Sequence, residues 1–98
     1  MHEYYNHFRK QLFPEKFNLL VGELNSKPRY LPVQNNGSQK RQVPDTVQVI
    51  TRCCIKNNKG EVVSRGFAFC SDKDQFSKKL GRNIALGRAL KNMNLAEA

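Results

Sequence analysis

Ninety-eight residues make a single domain, long enough to bury a modest core. Hydrophobic residues at 39% and charged residues at 26% mark a globular chain rather than a disordered one. The net charge of +9, from 17 Lys and Arg against 8 Asp and Glu, calls for an anionic partner and excludes an acidic mimic of DNA.

No apolar run approaches the ~20 residues of a membrane span. The start, Met1-His2-Glu3-Tyr4-Tyr5, lacks the basic residue and apolar stretch of a secretory signal. A cytoplasmic protein that does not touch membrane is expected. Cys53, Cys54 and Cys70 fit that compartment. Adjacent cysteines on a strand point to opposite faces and do not pair easily, and no CxxC is present. Neither a disulfide nor a metal site is expected, and no cofactor motif occurs.

The first segment, from Tyr4 to about Asn25, reads as helical. Tyr5, Phe8 and Leu12 have helical spacing up to Pro14, and Phe13, Phe17, Leu20, Val21 and Leu24 continue it. Pro14 suits a first helical turn. A strand over residues 18–23 competes, because Gly22 weakens a helix. Residues 26–45 form a connector punctuated by Pro28, Pro32 and Pro44. It holds a possible short strand at 29–33 and a flexible polar stretch at about 34–44.

The clearest unit is a hairpin over residues 46–70. Thr46–Lys56 is rich in β-branched residues, and Glu61–Cys70 follows the Asn57-Asn58-Lys59-Gly60 turn. A helix over about 72–93 closes the chain, with Ser71 as N-cap and Asp74 three residues on, close to a capping box. The expected fold is α+β. An antiparallel sheet contains the hairpin, and the C-terminal helix and an N-terminal helix pack on it.

Two surfaces could carry chemistry. If Lys56 lies opposite Glu61, Ile50 faces Phe67, Arg52 faces Arg65 and Cys54 faces Val63. That side then sets Phe67 and Phe69 beside two arginines. Opposed like charges destabilise a sheet by roughly 0.2–1 kcal/mol, which a bound phosphate would reverse. The competing reading packs both phenylalanines in a core. The other side, with Val47, Val49, Cys53, Ile55, Val62, Ala68 and Cys70, is a small apolar bed for a helix. On the C-terminal helix, Phe76, Leu80, Ile84, Gly87 and Leu90 form the stripe expected to face the core. Lys78, Lys79, Arg82 and Arg88 lie off that stripe. Arg82 stands out because it follows Gly81 and borders the small residues Gly81, Ala85 and Ala89, where a ligand could come close.

Catalytic residues are not expected. Cys70 with His7 could be drawn as nucleophile and base, but nothing in the sequence places them together.

The segment from Cys70 to Leu90, with Phe76-x-Lys78-Lys79-x-Gly81-Arg82-x-x-Ala85-x-Gly87-Arg88-Ala89-Leu90, resembles the C-terminal segment of small phage-encoded proteins. In architecture and residue type it is similar to the Thoeris anti-defence proteins. That resemblance implies sequestration of a cyclic nucleotide signal between protomers. Tyr30-Leu31-Pro32-Val33 followed by a hairpin and a Gly-Arg-Ala-Leu helix also resembles phage single-strand annealing proteins, which implies single-stranded DNA binding by oligomers. The chain is shorter than those and lacks their long aromatic stretch.

The expectation is therefore a non-enzymatic, phage-type accessory protein forming a homo-oligomer. It would bind a nucleotide signal through Arg52, Arg65, Phe67, Phe69, Lys78, Lys79, Arg82 and Arg88. The alternatives are single-stranded nucleic acid as ligand, or a host defence protein as partner.

Overall fold

The computed structural model describes residues 1–31 and 42–97, with side chains as far as Met93. It is an α+β fold of strands β1 (His2–Arg9), β2 (Val47–Lys56) and β3 (Val62–Ser71) with helices α1 (Pro14–Asn25) and α2 (Lys78–Glu97). The antiparallel sheet has the order β1-β2-β3. The helices cover opposite faces, so β2, central and covered on both sides, is buried along most of its length.

The chain opens on a strand, not on a helix. Tyr5 and Phe8 point to opposite faces of the sheet, where helical spacing would put them together: Phe8 packs with the α1 cluster and Tyr5 with the α2 cluster. Aromatic residues suit a pleated, half-buried surface, and pairing with β2 overrides the helical spacing. Helix α1 starts at Pro14, whose missing N–H leaves no bond unmade at a first turn. Phe17, Leu20 and Leu24 form its buried stripe, so residues 18–23 are helix rather than strand. Those side chains meet Val47, Ile50 and Phe67 of the sheet, with Tyr30, Leu31 and Val43 sealing the edge.

Pro28–Tyr30 is a single 3-10 turn where a strand was expected from residue 29. Residues 32 and 33 of that strand, and the polar stretch apart from 42–44, lie outside the described residues. Asn25 Oδ1 accepts the Val43 amide at 2.7 Å, tying the returning chain to the end of α1.

The hairpin forms, but its register moves by two. The Asn57 amide donates to the Glu61 carbonyl, Gly60 takes φ +82, and Asn57 Oδ1 accepts the Lys59 and Glu61 amides. The loop is thus one residue shorter than expected, and a bulge between Ile55 and Lys56 supplies the second step. Arg52 lies opposite Phe67, and Arg65 opposite Cys54. A shift of two keeps the side chains between the two irregularities on their expected faces, but Val47 and Val62, which lie beyond them, change side. Val47 packs in the α1 cluster and Val62 lines the face of Arg52, where both were expected on the α2 side.

Helix α2 departs further from expectation. It starts at Lys78, capped by Ser77 Oγ, which accepts the Leu80 amide at 3.2 Å. Ser71 instead ends β3, and its hydroxyl donates to Asp74 Oδ2 at 3.0 Å in a turn. The stripe expected in the core points outward: Leu80 is 57% exposed and Leu90 43%. Ala85 and Ala89, both fully buried, face the sheet. The reason is Gly66 of β3. A Cβ there would land on the Ala85 carbonyl and the Ala89 amide, so helix and strand touch backbone to backbone and only small residues fit.

Candidate phosphate-binding surface

Strand alternation puts Tyr4, Asn6, Arg52, Cys54, Lys56, Arg65, Phe67 and Phe69 on the α1 side of the sheet. Helix α1 covers only the end with Phe8, Ile50 and Phe67. The other end is open. Tyr4, Asn6, Arg52, Lys56, Val62 and Arg65 line a groove of about 380 Å³ there, and no lining residue is acidic.

Two of the three groove cations are held by neighbouring rings. Arg52 stacks over the Phe8 ring at 5.0 Å, and its Nη2 donates to Asn6 Oδ1 at 3.2 Å. Its Nε is buried with no hydrogen-bond partner among the described residues. Lys56 sits over the Tyr4 ring at 4.6 Å. Arg65 is half-buried beside them. Among the described residues, Lys27–Glu23 is the sole ion pair, so no carboxylate neutralises the groove.

The eight residues expected to bind do not form one site. Phe67 is 3% exposed and meets Tyr30 edge-on at 5.1 Å, so it is core. Phe69 is partly buried against the same cluster. Arg88 reaches from α2 around the sheet edge. Its Nη1 donates to the Phe67 carbonyl at 2.7 Å, and its guanidinium lies 6.0 Å from the Phe69 ring centre. Burial pushes the Arg88 guanidinium below its usual value, as a structural cation would show. Lys78, Lys79 and Arg82 are exposed on α2, across the sheet from Arg52 and Arg65. The small face beside Arg82 is occupied by the protein's own sheet: a Cβ on Gly81 would stand 2.7 Å from Thr51 Oγ1.

Lys56 and Tyr4 escaped the sequence reading. Lys56 shares strand parity with Arg52 and could have been found from that alone. Tyr4 lay in a segment read as helix.

No protein-family model, curated protein or solved structure matches this chain. No helix among the described residues is long and apolar enough to cross a membrane, and no group of three or more metal-ligating side chains occurs among them.

On the α2 side, His7 Nδ1 is hydrogen-bonded to Thr51 Oγ1 at 2.9 Å, and Phe76 meets the His7 ring edge-on at 5.4 Å. Desolvation first, then Lys78, Arg82 and Arg9, hold the imidazole below its usual 6.5. Cys70 is pushed the other way by burial and by Asp74, which disfavours the thiolate a nucleophile needs. Because His7 is depressed in the fold, the unfolded chain takes up its proton first. Its contribution to stability is complete above pH 6.5 and is lost as pH falls toward the folded value. The urea midpoint should therefore drop as pH is lowered through 6.5, and His7→Gln should flatten that drop. A proton-NMR titration placing His7 at or above 6.5 would contradict this environment.

Proposed function

We propose that this domain is a non-enzymatic binding module whose ligand is single-stranded nucleic acid, gripped by its phosphates in the groove of Arg52, Lys56 and Arg65. The observation carrying this reading is the convergence of three cations on one open surface with no acidic lining residue. Like charges so placed repel in the free protein, and a phosphate backbone relieves the repulsion while taking bidentate bonds from guanidinium groups. A strand is favoured over a small signal because Phe67 is spent in the core and Phe69 is half-covered. Neither phenylalanine lines the groove; its aromatic lining is Tyr5, which packs toward α2, and Tyr4 at the rim, which keeps one ring face free of Lys56 for stacking.

A groove of about 380 Å³ also suits a single nucleotide, which favours a second reading. In it, a phage-type accessory protein captures a nucleotide signal, as the sequence resemblance implies. One set of titrations separates the two. Fluorescence anisotropy with labelled single strands should show binding that weakens with salt. Three phosphate contacts give a slope near −2 in log K against log salt, from about −0.7 per contact on single strands. Calorimetry against cyclic di- and trinucleotides and cyclic ADP-ribose isomers should stay flat. Strong heat with one of those, with no oligonucleotide binding, would replace the first reading with the second. Silence in both assays would remove both.

A further inference from the structure

The two edges of the sheet are treated differently. On β3, the outward carbonyls of Arg65 and Phe67 accept bonds from Asn92 Nδ2 and Arg88 Nη1 of α2, at 2.8 and 2.7 Å. Side chains of α2 thus occupy two carbonyls of that edge. On β1, the Lys10 amide donates to the Gln48 carbonyl, continuing the β1–β2 register. In an antiparallel ladder the direction alternates, so even-numbered residues of β1 turn their backbone groups toward β2 and odd-numbered ones turn outward. The Arg9 carbonyl is taken by the Phe13 amide. The amides and carbonyls of Glu3, Tyr5 and His7 remain, without partners among the described residues.

Nothing in β1 discourages another strand. His2–Arg9 contains no proline and no lysine, and its register with β2 runs without a bulge. Natural edges use those devices to refuse partners. We infer that β1 is a dimer interface, pairing antiparallel with β1 of a second copy of this chain about a two-fold axis at Tyr5.

The choice of a second copy follows from self-complementarity. In that register Tyr5 pairs with the partner's Tyr5, and Glu3 with the partner's His7. Every free group of Glu3, Tyr5 and His7 then finds a mate, and the occupied Arg9 carbonyl is not needed. Glu3 is the one acidic residue of β1. It lies across from the partner's His7 and one diagonal step from the partner's Arg9, within reach of so long a side chain. Tyr4 lies across from the partner's Asn6.

A two-fold axis through a sheet preserves its faces. The six-stranded sheet therefore carries both Arg52–Lys56–Arg65 grooves on one side, their β2 strands about 14 Å apart by strand spacing. One nucleic-acid strand could cross both. This last consequence rests on the proposed ligand, whereas the interface rests on backbone groups alone.

The test is sedimentation equilibrium on the full chain without ligand, in about 0.3 M salt, which damps repulsion between two basic copies. A dimer is expected across tens to hundreds of micromolar, tightening as salt rises, the opposite of the salt response of phosphate binding. Glu3→Pro deletes an outward amide and leaves the β2 ladder untouched. It should weaken the dimer at least tenfold with an unchanged circular dichroism spectrum. Tyr5→Pro should do the same more strongly, and Glu3→Pro decides the matter if Tyr5→Pro unfolds. A chain that stays monomeric at hundreds of micromolar overturns the inference, as does a Glu3→Pro variant that dimerises like the parent. Loss of oligonucleotide binding would leave the sedimentation result unchanged, so the two ideas fail separately.

Discussion

Gly66→Ala is expected to destabilise the domain by about 3 kcal/mol, at the upper end of what overpacking a core normally does. The new methyl would meet the Ala85 carbonyl and the Ala89 amide and Cα, which are backbone atoms of α2 and cannot rotate away. Helix and strand would have to part, and three bonds depend on their closeness. Ser64 Oγ donates to the Ala89 carbonyl at 2.6 Å, Arg88 bonds the Phe67 carbonyl, and Asn92 bonds the Arg65 carbonyl. For a domain of this size the loss corresponds to a fall of roughly 15 °C in Tm. Gly87→Ala is the paired measurement. Gly87 is exposed, nothing lies within 4 Å of the added methyl, and the change should stabilise α2 by about 0.5–1 kcal/mol. Urea denaturation of both variants reads the difference. A Gly66→Ala variant within about 0.5 kcal/mol of the parent would mean that α2 does not rest on β3 in this way.

The second large effect is on binding. Arg52→Ala and Arg65→Ala should each weaken the oligonucleotide complex by about 1.5–3 kcal/mol, the range for hydrogen bonds to charged groups. That is roughly a tenfold to hundredfold rise in Kd. Arg52 should be the more sensitive, since the Phe8 ring and Asn6 already hold its guanidinium in place. Lys56→Ala should lose less, because its ammonium offers a point charge where arginine offers a fork. Lys79→Ala and Arg82→Ala lie across the sheet and should change affinity by under about 0.5 kcal/mol. Arg88→Ala should lower the urea midpoint by leaving the Phe67 carbonyl bare, with little effect on the affinity of the folded fraction. If Arg82→Ala proved the most damaging of the set, the binding surface would lie on α2 and the groove would not be the site.

The two sides of the central hairpin could be read from residue alternation except at Val47 and Val62, because a period of two survives an even slip in register but not the irregularities next to those residues. The slip itself could not. It arises from the Asn57 side chain, the positive φ of Gly60 and a bulge, all of which act through hydrogen bonds that a string of residue types does not display. Ser71 and Asp74 fit a helix cap by spacing, yet the same spacing closes a turn once Asp72 bonds back to Thr46. The facing of α2 was misread because hydrophobicity favours Leu80, Ile84 and Leu90 for burial. The deciding quantity is clearance above Gly66, a contact between two elements that hydrophobicity within the helix does not register. Strand β1 was hidden by the coincidental helical spacing of Tyr5, Phe8 and Leu12, and with it went the Tyr4 and Asn6 wall of the groove.

The position of β1 bears on the order in which the molecule assembles. Asn6 and Arg52 are 46 residues apart in the chain, and His7 and Thr51 are 44 apart. The β2–β3 hairpin closes across a few residues and needs no such excursion. Closing the long loop is entropically the harder step, though that penalty grows only slowly with length. Hairpin and α2 can therefore form early, while β1 and α1 arrive late. In the interval β2, the most buried strand of the finished fold, has a bare edge and a bare face. Chains in that state expose surface that can stick, and the net charge of +9 acts against it by mutual repulsion.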